Sequence, residues 1–269
     1  MSANPRIISV ANQKGGVGKT TTAVNLGAAL ANEGTRVLIV DLDPQGNAST
    51  GLGIASKDRE TTAYDLILGD AAPEEVIQRT AYEGLDIIPS TTDLSSADME
   101  LVATERRSFL LHDALRQPLM TALGYDVILI DCPPSLSLLT LNAFIASDSV
   151  LVPLQAEFYA LEGLSQLMVT IRDVRQSANP KLRIEGILLT MYDARNRLSK
   201  QVEADARDNL GDMVLTTLIP RNVRLSEAPS FAMPIIDYDP TSKGAEAYTA
   251  LARELTARWA PRRAKETTA

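Results

Sequence analysis

Cysteine and histidine are almost absent from this chain of 269 residues, which contains one of each, Cys132 and His112. A single cysteine excludes a disulfide within the chain, and a single histidine leaves no cluster of soft metal ligands. This composition is typical of a protein that stays in a reducing compartment, so we expect a cytoplasmic location.

Long apolar runs are missing as well. No window approaches the roughly 18 apolar residues that a membrane-spanning helix needs, and the N-terminus has no long apolar stretch behind a basic start. We therefore expect a chain that is neither exported nor membrane-spanning. Nothing marks a linker between two halves, so the sequence predicts one domain over residues 1–260, followed by a short, basic, disordered tail at 261–269.

Positive charge is in deficit, because the formal net charge at pH 7 is -8 and the isoelectric point is about 4.8. The field of the whole molecule therefore argues against nucleic acid or an anionic membrane as an obvious partner. Binding to either would need a local basic patch.

Continuous apolar runs rich in Val, Ile and Leu alternate with amphipathic segments. The runs predict strands buried on both faces, as in a parallel sheet, at 6–11, 36–41, 85–89, 125–131, 149–154, 183–190 and 213–219. The amphipathic segments predict helices at 20–32, 106–123, 137–147, 161–177, 199–210 and 244–258. This alternation predicts an α/β fold, a doubly wound and mostly parallel sheet sandwiched by helices, with ligand sites at the carboxyl ends of the strands. Residues 43–80 are the least regular, and we interpret them as a loop with short helices.

A glycine-rich loop, Asn12-Gln13-Lys14-Gly15-Gly16-Val17-Gly18-Lys19-Thr20, follows the first predicted strand. Glycines let backbone N–H groups surround phosphate oxygens, Lys19 would neutralise the β- and γ-phosphates, and the Thr20 hydroxyl would bind Mg²⁺. The loop therefore predicts a P-loop nucleotide triphosphatase. It is a deviant form, since Gln13 stands where the common motif has its first glycine and Lys14 adds a second lysine. Folding does not explain Lys14, because cations crowded into a small loop repel one another until an anion binds.

Two aspartates, Asp41 and Asp43, close the second predicted strand. Their spacing of two puts both on the same side of an extended chain. Near bound phosphates, such a carboxylate can hold a metal-bound water or orient the attacking one, and we assign the water-orienting role to Asp43. The alternative is an exposed Asp-Pro turn without a role in chemistry.

Asp131 closes a third apolar run, Val127-Ile128-Leu129-Ile130. A carboxylate that ends a buried strand beside a phosphate loop is the usual anchor of Mg²⁺ in such enzymes, so Asp131 is a candidate for the metal site. The alternative is that the aspartate only solvates the end of the strand. We interpret Cys132 as a small buried filler rather than a nucleophile, since no histidine stands near it in the sequence.

Five segments together resemble the ParA/Soj family of chromosomal partition ATPases. They read KGGVGKT at 14–20, DLDPQGN at 41–47, DCPP at 131–134, MYDAR at 191–195 and IPRNVRLSEAP at 219–229, and the resemblance runs from about residue 5 to residue 257. It implies ATP and Mg²⁺ as cofactors and a homodimer that sandwiches ATP. It also implies that the dimer binds double-stranded DNA without sequence preference, on the nucleoid, and that a ParB-like centromere-binding partner stimulates hydrolysis.

The resemblance implies roles for individual residues. Lys14 matches the signature lysine that reaches the other subunit's nucleotide, Lys19 the phosphate-binding lysine, and Asp43 the hydrolytic aspartate. Thr20 and Asp131 match the Mg²⁺ ligand and the Walker B residue, so the implied metal set is Thr20, Asp43 and Asp131. The implied nucleotide-binding set is Lys14, Gly15, Gly16, Val17, Gly18, Lys19, Thr20, Thr21, Glu157, Met191, Pro220, Arg221 and Asn222. In that set, Thr21 contacts the α-phosphate, Glu157 serves the nucleotide across the interface, and the last four hold the adenine.

Binding to DNA has to be reconciled with the acidic net charge. A few Lys and Arg side chains on one face are enough, because each neutralised phosphate releases counterions and dimerisation doubles their number. The resemblance places the family's DNA-contacting basic residues in the last third of the chain, where the candidates are Arg195, Arg197, Lys200, Arg224 and Lys243. We select Arg195 and Arg224 first. The alternative is that these cations are solvated surface or nucleotide contacts.

A MinD-like membrane-positioning ATPase shares the deviant loop and is the alternative function. Its discriminating feature would be an amphipathic C-terminal membrane helix. The C-terminal stripe here, Tyr248, Leu251, Leu255 and Trp259, is typical of a face that packs on its own core, so we expect no membrane partner. A nucleotide-gated scaffold would keep the loop without needing Asp43. An iron–sulfur reductase is disfavoured, because even a dimer would offer only two cysteines to a cluster that commonly takes four.

Overall fold

A computed structural model describes residues 4–157 and 160–259. Its strands are Arg6–Val10 (β1), Val37–Asp41 (β2), Gln78–Arg79 (β3), Leu85–Ile88 (β4), Val127–Asp131 (β5), Ser149–Gln155 (β6) and Arg183–Thr190 (β7). They form one sheet in the order β3-β4-β2-β5-β1-β6-β7. Every neighbouring pair is parallel except β3 with β4. All side chains of β2 and β5 are buried, as the continuous apolar runs predict.

Helices cover both faces of the sheet. They are Lys19–Asn32 (α1), Asn47–Gly51 (α2), Ala63–Leu68 (α3), Pro73–Val76 (α4), Ala97–Glu100 (α5), Leu110–Leu115 (α6), Pro118–Leu123 (α7), Leu138–Ala146 (α8), Ala160–Ser177 (α9), Arg197–Leu210 (α10), Val223–Glu227 (α11), Ile235–Tyr238 (α12) and Lys243–Trp259 (α13). One apolar core joins the sheet to α1 and α13, and a second joins it to α6, α8, α9 and α10. The predicted doubly wound α/β fold with a mostly parallel sheet is confirmed.

The carboxyl ends of three central strands lie level with one another. Asp131 at the end of β5 is in register with Val10 at the end of β1 and with Asp41 at the end of β2. The glycine-rich loop leaves β1 at this edge of the sheet, and Asp43 follows β2 at the same edge. The register therefore brings the three predicted motifs together.

The seventh predicted strand, at 213–219, is wrong. This segment touches β7 only at isolated points, where Leu215 donates its N–H to Ile187 at 2.9 Å and Ile219 donates to Leu189 at 2.9 Å. Between these points the N–H groups of Thr216 and Thr217 donate to the carboxylate of Glu254 in α13, at 2.8 Å each. In a strand, these two N–H groups would donate to carbonyl groups of a neighbouring strand. Here they donate to the Glu254 carboxylate instead, so the segment does not join the sheet as a strand.

Two smaller predictions are also corrected. The helix predicted at 106–123 is two helices, α6 and α7, because Pro118 disfavours the helical conformation at Gln117. The short antiparallel strand β3 lies in the segment interpreted as a loop with short helices, which otherwise holds α2, α3 and α4. The tail predicted at 261–269 lies outside the described residues, and the prediction of one domain over 1–260 stays a prediction.

The apolar stripe of α13 packs against the core. Tyr248, Leu251 and Leu255 are at most 1% exposed, and the Tyr248 hydroxyl lies 3.2 Å from the Thr22 hydroxyl of α1. Trp259 donates from its indole N–H to Glu185 at 2.9 Å. The apolar stripe of α13 is therefore covered by the rest of the fold. Among the described helices, none has the length and apolar character needed to cross a membrane.

Candidate functional site

Two neighbouring strands hold the glycine-rich loop in place. Asn12 donates from Nδ2 to the carbonyl of Pro153 in β6 at 2.8 Å, and Thr190 at the end of β7 donates from Oγ1 to the carbonyl of Val17 at 2.8 Å. Gly18 precedes α1 in the left-handed conformation, with φ 88°, which glycine adopts without strain. Since the first N–H groups of a helix have no partner within it, α1 presents donors to an anion at the loop.

The two lysines of the loop have different surroundings. Lys19 is 6% exposed, and its Nζ donates to the carbonyl of Lys14 at 3.0 Å. Burial lowers the pKa of Lys19, while the nearby Asp131 carboxylate acts to raise it. The Lys14 side chain is 46% exposed and forms an ion pair with Glu157, whose side chain is 33% exposed. Lys19 therefore lies inside the loop, whereas Lys14 lies at the surface.

The carboxylate of Asp131 is fully buried. Within the described part of the chain, neither of its oxygens accepts a well-formed hydrogen bond. Burial raises the pKa of Asp131 well above its usual range, Asp41 raises it further, and the Thr20 hydroxyl acts in the opposite direction. An unpaired buried carboxylate is costly, and a cation would compensate it.

Mg²⁺ fits these donors better than a metal that needs an all-protein cage. No group of three or more His, Cys, Asp or Glu side chains gathers around a single point in residues 4–157 and 160–259. Mg²⁺ is usually bound through one or two carboxylates, together with phosphate and water oxygens. The Asp131 carboxylate and the Thr20 hydroxyl offer this kind of partial site.

Asp41 and Asp43 differ in their hydrogen bonds. Asp41 accepts from the backbone N–H and the hydroxyl of Ser49, at 2.8 and 2.6 Å, and burial raises its pKa to about 6. Asp43 is 7% exposed and accepts from the N–H of Gln45 at 3.0 Å. A turn does form, since Gly46 donates its N–H to the Asp43 carbonyl at 2.9 Å. The turn is not exposed at Asp43, because this residue is buried, and the role of its carboxylate stays a prediction.

A cleft of about 360 Å³ opens beside the loop. It brings together the residues for which the sequence implied adenine contacts, Met191, Pro220, Arg221 and Asn222, with Thr21 of α1. Backbone hydrogen bonds fix their relative positions. Tyr192 donates its N–H to the carbonyl of Ile219, and its own carbonyl accepts from the N–H of Arg221, at 3.0 Å each. Glu157 is not among the residues that line this cleft.

Comparisons with known proteins fit this geometry. A family model described as an AAA domain matches residues 5–184. The chromosome partitioning protein ParA of Caulobacter vibrioides is 57% identical, over 98% of this chain and 99% of its own length. The sporulation initiation inhibitor protein Soj of Bacillus subtilis is 56% identical, over 94% of this chain and 98% of its own. The chain belongs to the ParA/Soj family of partitioning ATPases.

The fold of this ParA/Soj-family chain also occurs in a solved structure with ligands. Cobyrinic acid a,c-diamide synthase of Mycobacterium smegmatis, with a bound ATP analogue and magnesium, is 40% identical and has a TM-score of 0.82. The likeness covers 95% of this chain and 96% of that chain. In that protein, therefore, the same architecture holds a triphosphate analogue together with a metal.

The basic residues predicted to bind DNA lie in two groups on this ParA/Soj-family chain. Arg195, Arg197 and Lys200 are exposed at the start of α10, and Arg224 and Lys243 are exposed on α11 and α13. The Arg195 side chain is 93% exposed and pairs with Asp193 at 3.2 Å. Arg224 pairs with Glu227 at 2.9 Å and with Asp239 at 3.4 Å. The two arginines selected first each have acidic partners, so part of their charge is compensated within the chain.

Several residues of the site were missed by sequence reasoning. Ser49 binds Asp41, and Leu225, Pro229 and Tyr248 line the cleft. Leu225 and Pro229 belong to a segment that the family resemblance does single out. Ser49 and Tyr248 carry no signal of this kind, because their contacts depend on how distant segments fold together.

Proposed function

We propose that this chain is an ATP-dependent DNA-partitioning ATPase. ATP with Mg²⁺ would join two protomers in a sandwich dimer that binds double-stranded DNA without sequence preference, in the cytoplasm and on the nucleoid. A ParB-like centromere-binding protein would stimulate hydrolysis and thereby release the DNA. The observation that carries this proposal is the difference between the loop's two lysines. Lys19 is buried inside the loop, while Lys14 lies at the surface in an ion pair with Glu157.

The loop and the cleft beside it offer a site for ATP. Backbone N–H groups of residues 15–18 and the Lys19 ammonium would bind the β- and γ-phosphates, and Thr21 would contact the α-phosphate. The cleft lined by Met191, Pro220, Arg221 and Asn222 would take the adenine. The bound ATP analogue in the Mycobacterium smegmatis relative supports this assignment.

Thr20, Asp131 and Asp43 are the residues that would hold Mg²⁺. The buried Asp131 carboxylate, which accepts no well-formed hydrogen bond within the described residues, supports the assignment, as does the magnesium bound in the Mycobacterium smegmatis relative. When bound, Mg²⁺ would neutralise charge on the phosphate oxygens.

Asp43 is our candidate for orienting the attacking water. Its carboxylate is 7% exposed, and the N–H of Gln45 fixes one of its oxygens at 3.0 Å. A carboxylate held in this way can align a water toward the terminal phosphate with little reorganisation. Lys19 would meanwhile stabilise the negative charge on the phosphates.

Lys14 would have to leave Glu157 to reach a nucleotide in a second subunit. A triphosphate carries more negative charge than one carboxylate, so it attracts the ammonium more strongly. Since each protomer would contribute Lys14 to the other, ATP would favour the dimer over the monomer. Glu157, freed from the ion pair, would face the nucleotide across the interface.

Dimerisation would also explain how an acidic protein binds DNA. The exposed cations Arg195, Arg197, Lys200, Arg224 and Lys243 would be doubled in number, and each contact with a phosphate releases counterions. If only the dimer presents enough of them, affinity for DNA depends on ATP by linkage.

Gel filtration and a DNA-shift assay with ATP, with ADP and without nucleotide test this proposal. We expect the wild type to dimerise and to bind DNA only with ATP. Lys14→Gln should lose both properties, because the second subunit's nucleotide loses its cation. Arg195→Glu should keep the ATP-dependent dimer and lose DNA retention. Arg172→Glu, at an exposed arginine of α9, is the matched control and should keep both.

Two outcomes would contradict the mechanism: loss of the dimer in both Lys14→Gln and Arg195→Glu, or unaffected DNA binding in both. Co-sedimentation with anionic vesicles in the presence of ATP tests the MinD-like alternative. Vesicle binding by the wild type would favour that alternative over DNA partitioning.

A further inference from the structure

Arg59 is half-buried in an otherwise exposed stretch, residues 55–60. Its Nε and Nη2 donate to the carbonyl of Ile54, at 3.1 and 2.7 Å. Nη2 also donates to the hydroxyl of Thr50 in α2 at 2.8 Å, and Nη1 donates to the carbonyl of Ser90 after β4 at 2.9 Å. These bonds go to two backbone carbonyls and one side-chain hydroxyl, so this arginine joins α2 and the residue Ile54 to the segment that follows β4.

The guanidinium of Arg59 also packs against Gly46. A Cβ at this position would lie 2.8 Å from the Ser90 carbonyl and closer still to Arg59 Nη1. Gly46 has a φ of 60°, which adds a conformational reason for glycine. Because Gly46 donates its N–H to the Asp43 carbonyl at 2.9 Å, the guanidinium lies on the turn that begins at Asp43.

A second anchor holds the same turn through Asp41. Ser49 of α2 donates its hydroxyl to Asp41 at 2.6 Å and accepts from the N–H of Ser90 at 3.1 Å. Ser90 therefore donates its N–H to the Ser49 hydroxyl and accepts from Arg59 with its carbonyl. The turn at 43–46 and helix α2 are fixed to the end of β4 by both contacts.

We infer that Arg59 is a positioning residue for Asp43. It holds the turn at 43–46 against α2 and the end of β4, and thereby keeps the Asp43 carboxylate aligned for hydrolysis. The inference rests on the proposed ATPase function. The planar guanidinium fork reaches acceptors in several fixed directions, whereas a lysine ammonium is a single flexible point charge. Arg59 is not among the residues that line the cleft, so its loss affects the rate of hydrolysis rather than ATP binding.

The substitution Arg59→Lys tests this inference through two measurements, amide hydrogen exchange at 43–51 and steady-state ATP hydrolysis in the presence of DNA. We expect faster exchange and a kcat lowered roughly 10- to 100-fold, with an unchanged KM for ATP. The matched control is Arg36→Lys, because Arg36 also donates to backbone carbonyls, those of Leu123 and Gly124, at 2.8 and 3.2 Å. Arg36 lies just before the amino end of β2, away from the carboxyl ends of the strands where Asp43 lies. The Arg36→Lys substitution should therefore change neither measurement.

A double-substitution cycle separates positioning from a general loss of structure. In the Asp43→Ala background, Arg59→Lys should lower the remaining rate no further, because Arg59 acts only through Asp43. If Arg59→Lys does not fold, Thr50→Val, which removes one acceptor of Arg59, should give the same changes at smaller size.

Unchanged exchange, unchanged kcat, or a fully additive loss in the Asp43→Ala background would each overturn the inference. Failure of the proposed function looks different. In that case the wild type itself would bind ATP with Mg²⁺ without hydrolysing it, whatever the behaviour of the Arg59 variants.

Discussion

At the scale of single residues, the carboxylate of Asp131 is the least satisfied group of the site. It is fully buried, and neither oxygen accepts a well-formed hydrogen bond within the described residues. Removing such a group from water costs free energy of folding that the nearby Lys19 offsets only in part, and a bound cation or a proton would compensate it further. Stability and metal binding are therefore opposed at this position.

Asp131→Asn should separate stability from metal binding. Without nucleotide, we expect its melting temperature to equal or exceed that of the wild type, because the substitution removes a buried charge. ATP with Mg²⁺ at a hundredfold excess over Kd should stabilise the wild type by about 2.7 kcal/mol. In the variant this stabilisation should fall to the level seen with ATP and EDTA. Thermal denaturation measures both, with Asp208→Asn, an exposed aspartate of α10, as control. Full Mg²⁺-dependent stabilisation of Asp131→Asn would contradict the assignment of the metal site.

Single residues were predictable from the sequence where a local motif carries their chemistry. The loop glycines and Lys19 follow from the spacing of the loop motif, and Asp131 follows from its place at the end of a buried run in a chain that also carries that loop; their roles stay predictions. Ser49 and Arg59 were not predictable, because each acts through backbone or carboxylate groups that only the folded sheet brings near. Ser90, which both contact, comes from a different strand end. A single sequence does not show which distant segments come into contact in the folded protein.

At the scale of elements, the buried central strands were the easiest to predict. The strands β2 and β5 are buried along their whole length, and each carries four consecutive apolar residues before its final aspartate. The segment at 213–219 is also rich in β-branched and apolar residues, yet Glu254 of α13 accepts hydrogen bonds from the backbone at its middle. A side chain from a distant helix thus overrides the local preference for a strand.

Glu254→Gln tests that contact and its pH dependence. Partial burial acts to raise the pKa of Glu254, but the N–H groups of Thr216 and Thr217, together with the Thr217 hydroxyl and Arg258, hold the pKa below its usual value. A carboxyl group with a lowered pKa stabilises the fold above its unfolded pKa, and this contribution is lost as the pH falls through the folded pKa. At pH 7 we expect a loss of about 1 kcal/mol, because the amide offers one acceptor oxygen to two donors.

This loss corresponds to a melting temperature lower by about 2–4 °C. Thermal melts at several pH values check the prediction. The difference between Glu254→Gln and the wild type should begin to shrink as the pH falls below about 4.3, the ordinary pKa of a glutamate, and should disappear once the pH is below the lowered pKa of the folded protein. Glu246→Gln, at an exposed position of the same helix, is the control. A difference that stayed constant down to pH 3 would rule out the carboxylate as its source.

At the scale of the whole molecule, the net charge of -8 opposes the binding of DNA to the exposed arginines and lysines. Long-range repulsion from DNA is screened by salt within about 10 Å at ordinary ionic strength. Short-range contacts between Arg or Lys and phosphate remain, and each gives a characteristic salt dependence. The number of contacts can therefore be measured even though the net charge has the wrong sign.

Salt titration of DNA affinity in the presence of ATP should count these contacts. The logarithm of the binding constant should fall linearly with the logarithm of the salt concentration, by roughly 0.9 for each phosphate contacted. Arg195→Ala should make the slope shallower by about 2 per dimer, since each protomer loses one contact. Fluorescence anisotropy with labelled duplex DNA measures the slope. Arg183→Ala, at the amino end of β7, should leave it unchanged, and an unchanged slope in Arg195→Ala would remove Arg195 from the interface.

The hydrogen bond between Tyr248 and Thr22 has a consequence for how the protein is made. Helix α1, which carries Lys19 and Thr20, leaves the ribosome well before α13, because it lies far ahead of α13 in the chain. Until α13 emerges, the nascent chain exposes the apolar face of α1 and lacks Tyr248, one wall of the cleft. The cleft is therefore complete only after α13 has been made, so a chain that stops before α13 carries the loop without the complete cleft beside it.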